Sequence, residues 1–421
     1  MVRSRLKLGG WGMSSEWPIE KLGDLTINLD TKRKPVKEAD RKPGPYPYYG
    51  ASGIVDYVDG YIFDGEHLLI AEDGENLRTR QTPIAFRACG QFWVNNHAHI
   101  VVGNERASTR YLEYAVLASD ITSYLTGAVM PKLTQGNMNR IEVPCPPRDV
   151  QDQIVGVLGS LDDRITLLRE TNTTLEAIAQ ALFKSWFVDF DPVHAKMQGR
   201  APEGMIEATA ALFPDSFEES ELGAVPKGWH VGNLNALADL NPESWSAKLH
   251  PERVLYVDLA NTKAGQIDEY NEFSFEDAPS RARRVLRCGD VIVGTVRPGN
   301  RSFARIASDV TGLTGSTGFA VLRSREVVDQ ALVYIAATND EAIDRLSHLA
   351  DGGAYPAVRP EVVGTTPLVI ATEEIRNSFG DIANPLFASI GANQERMREL
   401  ASLRDTLLPR LISGRLSCGL E

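Results

Sequence analysis

Two adjacent carboxylates, Glu72 and Asp73, and two histidines at His97 and His99 are the residues of this chain whose spacing first suggests chemistry. A metal-dependent nuclease wants a lysine two residues beyond such a carboxylate pair, and none follows, so Glu72-Asp73 is expected to form a turn. His97 and His99 project from one face of a strand and could hold a metal, but no third ligand lies nearby, which makes a structural role the expectation. No GxxxxGK[ST] phosphate loop is present, which excludes a P-loop ATPase. Asn241-Pro-Glu-Ser-Trp245 approaches the Asn-Pro-Pro-aromatic pattern of amino-methyl transfer but lacks the second proline and a glycine-rich cofactor strand. The four cysteines, Cys89, Cys145, Cys288 and Cys418, form no CxxC pair and read as reduced thiols without a zinc site. The chain is therefore expected to be non-catalytic, without cofactor or metal.

The remaining chemistry is cationic. Net charge is −12, which taken alone argues against nucleic acid, yet the distribution is uneven. Seven arginines and a single acid, Asp290, occupy Arg281 to Arg305, and six basic residues face Glu38 and Asp40 between Lys32 and Lys42. Arginine forks onto guanine, Asn and Gln pair with adenine, and lysine mostly meets phosphate. On that basis Lys32, Arg33, Lys34, Arg78, Arg80, Lys132, Gln135 and Asn137 are the candidate DNA contacts of the first half. Arg281, Arg283, Arg284, Arg297, Arg301 and Arg359 are those of the second. Tyr355, placed like Met130 just before a proline, either lies near DNA or packs against a helix. Solvated surface loops would carry the same clusters.

Such contacts need elements to hold them, and two long helices are written into the sequence. Ile154, Leu158, Leu161, Ile165, Leu168, Asn172, Leu175, Ala179, Leu182 and Trp186 alternate steps of 4 and 3, the period of a coiled-coil seam. Adding 225 to each number gives Phe379, Ala383, Leu386, Ile390, Asn393, Met397, Leu400, Arg404, Leu407 and Leu411. Run antiparallel with partner numbers summing to 565, the seams match large residues to small: Ala179 faces Leu386, Leu182 faces Ala383, Trp186 faces Phe379, and Ile154 faces Leu411. Asn172 then meets Asn393, and a buried amide pair fixes register; a slip of one heptad would leave each Asn unpaired. Leu161 against Arg404 is the weak layer, where the Arg stem packs and its head reaches water. Two ordinary amphipathic helices on separate domains would show the same periodicity.

The segments before each helix begin and end alike. Trp17-Pro-Ile-Glu-Lys-Leu22 aligns with Trp229-His-Val-Gly-Asn-Leu234, and Ala128-Val-Met-Pro131 with Gly353-Ala-Tyr-Pro356, while the interiors look unrelated. Strands are expected at Tyr61 to Phe63 and Leu68 to Ala71, joined in a hairpin by Asp64-Gly65, and also around Trp93, His99 to Val102, Asp290 to Gly294 and Gly318 to Leu322. Helices are expected at Thr109 to Ser119 and Gln330 to Thr338. The acidic Pro/Gly-rich connector from Phe187 to Lys227 is expected to carry the chain back across the molecule, because antiparallel helices leave their ends far apart. At 421 residues there is room for two or three domains. Met1 to Met13 has basic residues but no apolar core, and no run is long enough to span a bilayer, so neither signal peptide nor anchor is expected.

These residues together resemble the DNA specificity subunit of type I restriction–modification systems. The resemblance covers almost the whole chain. It is carried by Trp186-Phe-Val-Asp-Phe-Asp-Pro-Val193, Leu212-Phe-Pro-Asp215 and Ser220-Glu-Leu-Gly-Ala-Val-Pro-Lys-Gly-Trp229 in the connector. Tyr48-Tyr-Gly-Ala-Ser-Gly-Ile54, Phe63-Asp-Gly-Glu-His-Leu-Leu-Ile-Ala-Glu-Asp-Gly74, Ala278-Pro-Ser-Arg281, Gly289-Asp-Val-Ile-Val and Val296-Arg-Pro298 add to it. It implies an α+β fold of two globular target recognition domains in a pseudo-twofold tandem repeat, joined by two long antiparallel helices forming a coiled coil. On this reading residues 1–148 and 226–372 are the recognition domains, 149–187 and 373–415 the helices, and 188–225 the connector. Each domain would read one half of a bipartite target on double-stranded DNA, and the helix pair would set the spacer. A helix of about 35 residues is roughly 52 Å long, on the order of one and a half DNA turns. The implied partners are two methyltransferase subunits and, in a full system, motor–nuclease subunits, in the cytoplasm. A coiled-coil scaffold without DNA affinity is the competing reading.

Overall fold

The computed structural model describes residues 17–221, 223–351, 353 and 356–416. Met1 to Met13, Tyr355 and Cys418, each given an expectation above, lie outside the described residues. The chain forms two compact units, one spanning Leu167–Met397 and the other formed from the segments up to Thr166 and from Arg398 onward. The two long helices run Arg148–Phe187 and Glu373–Ile412, 40 residues each. All twenty seam positions are buried or half-buried, so the 4-and-3 alternation does mark the packed stripe of each helix.

In the unit formed from the segments up to Thr166 and from Arg398 onward, the start and end of the globular segment are tied together, Ile19–Lys21 pairing antiparallel with Glu142–Pro144. A four-stranded antiparallel sheet runs in the order Thr26–Asn28, Ala98–Gly103, His67–Ala71, Ala85–Ala88. A three-stranded sheet runs Gly53–Val58, Pro43–Gly50, Trp93–Val94, its last pair parallel. Five consecutive buried residues, His67–Ala71, make the middle strand apolar on both faces, as a strand covered on both sides requires. One cover is the helix Thr109–Ala118, capped by Ser108, whose Oγ accepts from the Tyr111 N–H at 3.2 Å. Tyr111, Leu112 and Ala115 from that helix share a core with Leu68, Ile70, Ile154, Leu158 and Leu411. The Asp64-Gly65 turn is present, with Gly65 at φ +101°. It does not join a hairpin, because Phe63 bridges to Phe92 and strand His67–Ala71 pairs elsewhere.

The Leu167–Met397 unit repeats this plan. His230–Asn233 pairs antiparallel with Pro367–Ile370. The four-stranded sheet is ordered Ala238–Leu240, Phe319–Ser324, Val291–Gly294, Phe303–Arg305. A second sheet is ordered Asn271–Ser274, Arg253–Val257, Leu313–Ser316, Ala282–Val285, with a parallel pair again in the middle. Interiors that look unrelated in sequence thus share strand order and the parallel pairing, and the second half adds one edge strand. Backbone hydrogen bonding fixes topology, while side-chain identity is constrained only by inward or outward position.

Within each unit the helices pair as the 565 register requires. In the Leu167–Met397 unit the Asn393 side-chain amide donates to Asn172 Oδ1 at 2.8 Å, and Asn172 Nδ2 donates to the Ile390 carbonyl at 3.2 Å. Trp186 meets Phe379 edge-on at 5.9 Å between ring centroids. In the other unit Arg404 is not simply solvated, because its guanidinium donates to Asp162 Oδ1 at 2.7 Å and to Asp405 Oδ1 at 2.8 Å.

The connector differs from its expectation. It forms helices Asp191–Met197 and Glu207–Leu212 and a hairpin, Phe217–Ser220 with Gly223–Pro226, and it folds back onto the helix end it leaves. Phe213 packs edge-on to Trp186 at 5.0 Å, and Trp229 lies 5.8 Å from Phe187. The second globular segment is built around the end of the first helix, so no return crossing is needed.

Candidate nucleic-acid interface

In the first globular segment the candidate residues gather around Glu72, which follows the central strand His67–Ala71. Arg33 Nη1 donates to Glu72 at 2.8 Å and to the Ala98 carbonyl at 2.8 Å, and Lys132 Nζ stands 3.3 Å from the other Glu72 oxygen. Arg33 also pairs with Asp30 at 3.5 Å. Burial would push the Glu72 carboxyl up, but the hydrogen bond from Arg33, with His99 and Lys132 nearby, holds it below the usual range. Arg33 is thereby committed to internal bonds, whereas Lys32 and Lys34 on either side of it are exposed.

Arg80 sits at φ +49° and donates to the carbonyls of Leu117 and Ser119, which places it among structural residues. Asn137 is likewise spent, donating to the Tyr124 carbonyl at 2.7 Å and accepting from Arg140. Arg78 is exposed and donates to the Gly127 carbonyl at 2.8 Å. Gln135, exposed, opens the short helix Gln135–Asn139 capped by Thr134. Lys32, Lys34, Arg78, Lys132 and Gln135 are the candidates exposed to solvent in this segment.

The second segment builds a comparable junction. Thr295, after strand Val291–Gly294, donates to the Gly318 carbonyl, and Thr317, the residue before Gly318, donates from its N–H to the Arg281 carbonyl at 2.8 Å. Val358 donates to the Thr295 carbonyl at 2.9 Å, and Arg297 donates from its N–H to the Pro356 carbonyl at 2.7 Å. Backbone bonds thus bring the exposed residues Arg281, Arg297 and Arg359 to one junction. Arg281 and Arg359 have no side-chain partner among the described residues. Arg301 pairs with Asp340 at 2.7 Å at φ +59°. Arg283 lies over the Phe275 ring at 4.8 Å, and Arg284 is half-buried beside Ser244, its guanidinium pushed down by burial.

The two histidines and the Asn241-Pro-Glu-Ser-Trp245 segment make internal bonds. His97 bonds to Asp73 at 2.9 Å, and His99 to Asp30 at 2.6 Å and to the Leu133 carbonyl at 2.8 Å. No cluster of three or more metal-ligating side chains occurs among the described residues. Asn241 Oδ1 accepts from the Val321 N–H at 3.0 Å, and Trp245 Nε1 donates to Thr314 Oγ1 at 2.8 Å. Glu243 bonds to Arg287 and Arg323, and these hydrogen bonds take its carboxyl down to about 2. The sequence marks Glu72 only as part of a turn; its charge partners Arg33 and Lys132 are marked as cations, but they lie far from it in sequence and nothing there pairs them with it.

Residues 14–177 match the model of the type I restriction modification DNA specificity domain. That match covers the first globular segment and most of the first long helix. A type I restriction enzyme specificity subunit of Haemophilus influenzae is 40% identical over 151 residues, 36% of this chain and 38% of that relative, so that match spans well under half its length. The type I restriction enzyme MjaIX specificity subunit of Methanocaldococcus jannaschii is 24% identical over 426 residues, covering 95% of this chain and 94% of its own. In fold, the chain is similar to the crystal structure of a type I restriction–modification system S subunit from M. genitalium, with a TM-score of 0.56, 13% identity, and 96% and 98% of the two chains covered. The α+β plan with two long helices is shared with that S subunit. No described helix is long and apolar enough to cross a membrane.

Proposed function

We propose that this chain is the non-catalytic, sequence-specific DNA-binding subunit of a type I system, directing methyltransferase subunits to a bipartite target. Residues 1–148 and 226–372 act as target recognition domains, each reading one half-site. The helices at 149–187 and 373–415 set the spacer, and 188–225 connects them. The observation that carries this reading is one strand order built twice, with exposed cations at the same junction each time. Two methyltransferase subunits, and motor–nuclease subunits in a full system, supply the chemistry in the cytoplasm, and the chain itself needs no cofactor.

Lys32, Lys34, Arg78, Lys132, Gln135, Arg281, Arg297 and Arg359 are the contacts we favour on double-stranded DNA. Arg33, Arg80, Asn137, Arg284 and Arg301 serve mainly to hold the frame, and Arg283 rests on Phe275. The test is a salt titration of duplex binding by the chain assembled with its methyltransferase. Affinity that falls with salt and prefers one duplex sequence supports the reading; an assembled complex with no duplex affinity supports the scaffold instead.

A further inference from the structure

One turn of the first globular segment is built rigidly and yet ends in apolar side chains. Thr126 and Lys132 exchange backbone hydrogen bonds of 2.8 and 2.7 Å, and Thr126 Oγ1 adds a third bond to the Lys132 carbonyl at 3.1 Å. Arg78 donates to the Gly127 carbonyl, the Gly74 N–H to the Pro131 carbonyl at 3.1 Å, and the Leu133 N–H to the Glu72 carbonyl at 2.8 Å. Gly127 has φ +87°, and a Cβ there would stand 2.1 Å from the Met130 carbonyl oxygen, so the tight turn requires glycine. Pro131 and Leu133 are buried beneath it. Above this frame Val129 is 96% exposed and Met130 63% exposed.

A floppy loop would fold such side chains inward; this turn is held so that it cannot. Lys132 and Arg78 flank it, and the nearby carboxylates are all engaged, Glu72 with Arg33 and Lys132, Asp73 with His97, and Glu75 with Arg78. The geometry points to a polyanion with apolar features inside it, and duplex DNA fits that description. We propose that Val129 and Met130 form a base-reading tip that recognises a thymine through its C5-methyl group in the major groove. That methyl is the aliphatic group a base edge presents there. These two side chains offer a base edge no strong hydrogen bond, so the tip discriminates by contact alone. This inference rests on the DNA-recognition reading above.

The test uses the chain assembled with its methyltransferase and a duplex carrying the motif that this complex methylates. Deoxyuridine replaces one thymine at a time in the half read by the first domain. Binding is expected to weaken about fourfold at one position, the effect of one buried methyl group. In Val129→Ser/Met130→Ser that position is expected to tolerate any base and to ignore deoxyuridine, with the other half of the motif unchanged. Gly127→Ala, which displaces the tip without altering its chemistry, is expected to relax the same position, and Val129→Ile to retain it. The inference is overturned if no thymine responds, if the double variant keeps the full motif, or if that variant fails to assemble with the methyltransferase, which would place the tip at a protein contact. A wild-type complex with no gapped motif would sink the DNA reading and this inference together. A gapped motif indifferent to the tip would sink only the inference.

Discussion

The side-chain amide of Asn393 donates to Asn172 Oδ1 at 2.8 Å, joining two helix positions 221 residues apart in sequence. Asn172 is 8% exposed, and its own amide hydrogens find the Ile390 carbonyl. A polar pair in an apolar seam is tolerated only when each amide is satisfied, which one register allows. Asn172→Leu alone therefore leaves Asn393 without its acceptor and is expected to lower stability by about 1–3 kcal/mol. Asn172→Leu/Asn393→Leu together should return to wild-type stability or above it, so urea unfolding of the four proteins in a double-mutant cycle will show strong non-additivity. Additive losses would mean the two amides do not act as a pair.

Trp186 is the anchor of the other seam end, touching Phe213 at 5.0 Å and Phe379 at 5.9 Å. Trp186→Ala removes a buried indole from a cluster shared by the helices, the connector and the second globular segment, and is expected to cost about 3–5 kcal/mol. Chemical denaturation followed by circular dichroism checks it. A loss below about 1 kcal/mol would show that the cluster collapses around the gap.

Arginines of similar sequence context should behave differently. Arg33 bonds to Glu72, Asp30 and the Ala98 carbonyl, so Arg33→Ala is expected to lower stability by about 1–3 kcal/mol, with Lys132 and His99 still facing the two carboxylates. Arg359 is exposed, and Arg359→Ala should leave the melting temperature unchanged while weakening DNA binding by about 1–3 kcal/mol and relaxing the motif at one position. Paired melting and binding measurements separate the two, and a destabilised Arg359→Ala with normal DNA binding would exchange their roles.

Acid should loosen the first globular segment through Asp30. Burial alone would raise its carboxyl, but the His99 hydrogen bond, the Ile100 N–H and Arg33 outweigh that and hold it below the ordinary value. A folded pKa lower than the unfolded one means the stabilisation is complete above about pH 4 and is lost as pH falls through the folded value. Unfolding free energy of the full chain should thus drop below about pH 4. Asp30→Asn should show a shallower drop, and an identical acid limb in the variant would remove Asp30 from this role.

The helix pair was legible because its signal is periodic: Ile154 to Trp186 and Phe379 to Leu411 carry their packing partners in a fixed step. Sheet order was not legible, since Thr26–Asn28 finds Ala98–Gly103 through backbone bonds that no side-chain pattern encodes. The same holds at the site. Charge marked Lys32 to Lys34 as one cluster, yet only the fold turns Arg33 inward to Glu72 and leaves its neighbours in solvent. Tyr61 to Phe63 looked like a hairpin arm because Asp64-Gly65 is a turn signal; the preference of Phe63 for Phe92, a ring stacked at 5.6 Å, is a long-range choice.

The most direct measurement is long-read mapping of methylated bases in a test genome after co-expression of this chain with its methyltransferase. The account predicts a new gapped motif in two parts, one of which relaxes when Arg281 or Arg359 is replaced and the other when Gln135 is. No new methylation from a complex shown to assemble would contradict it.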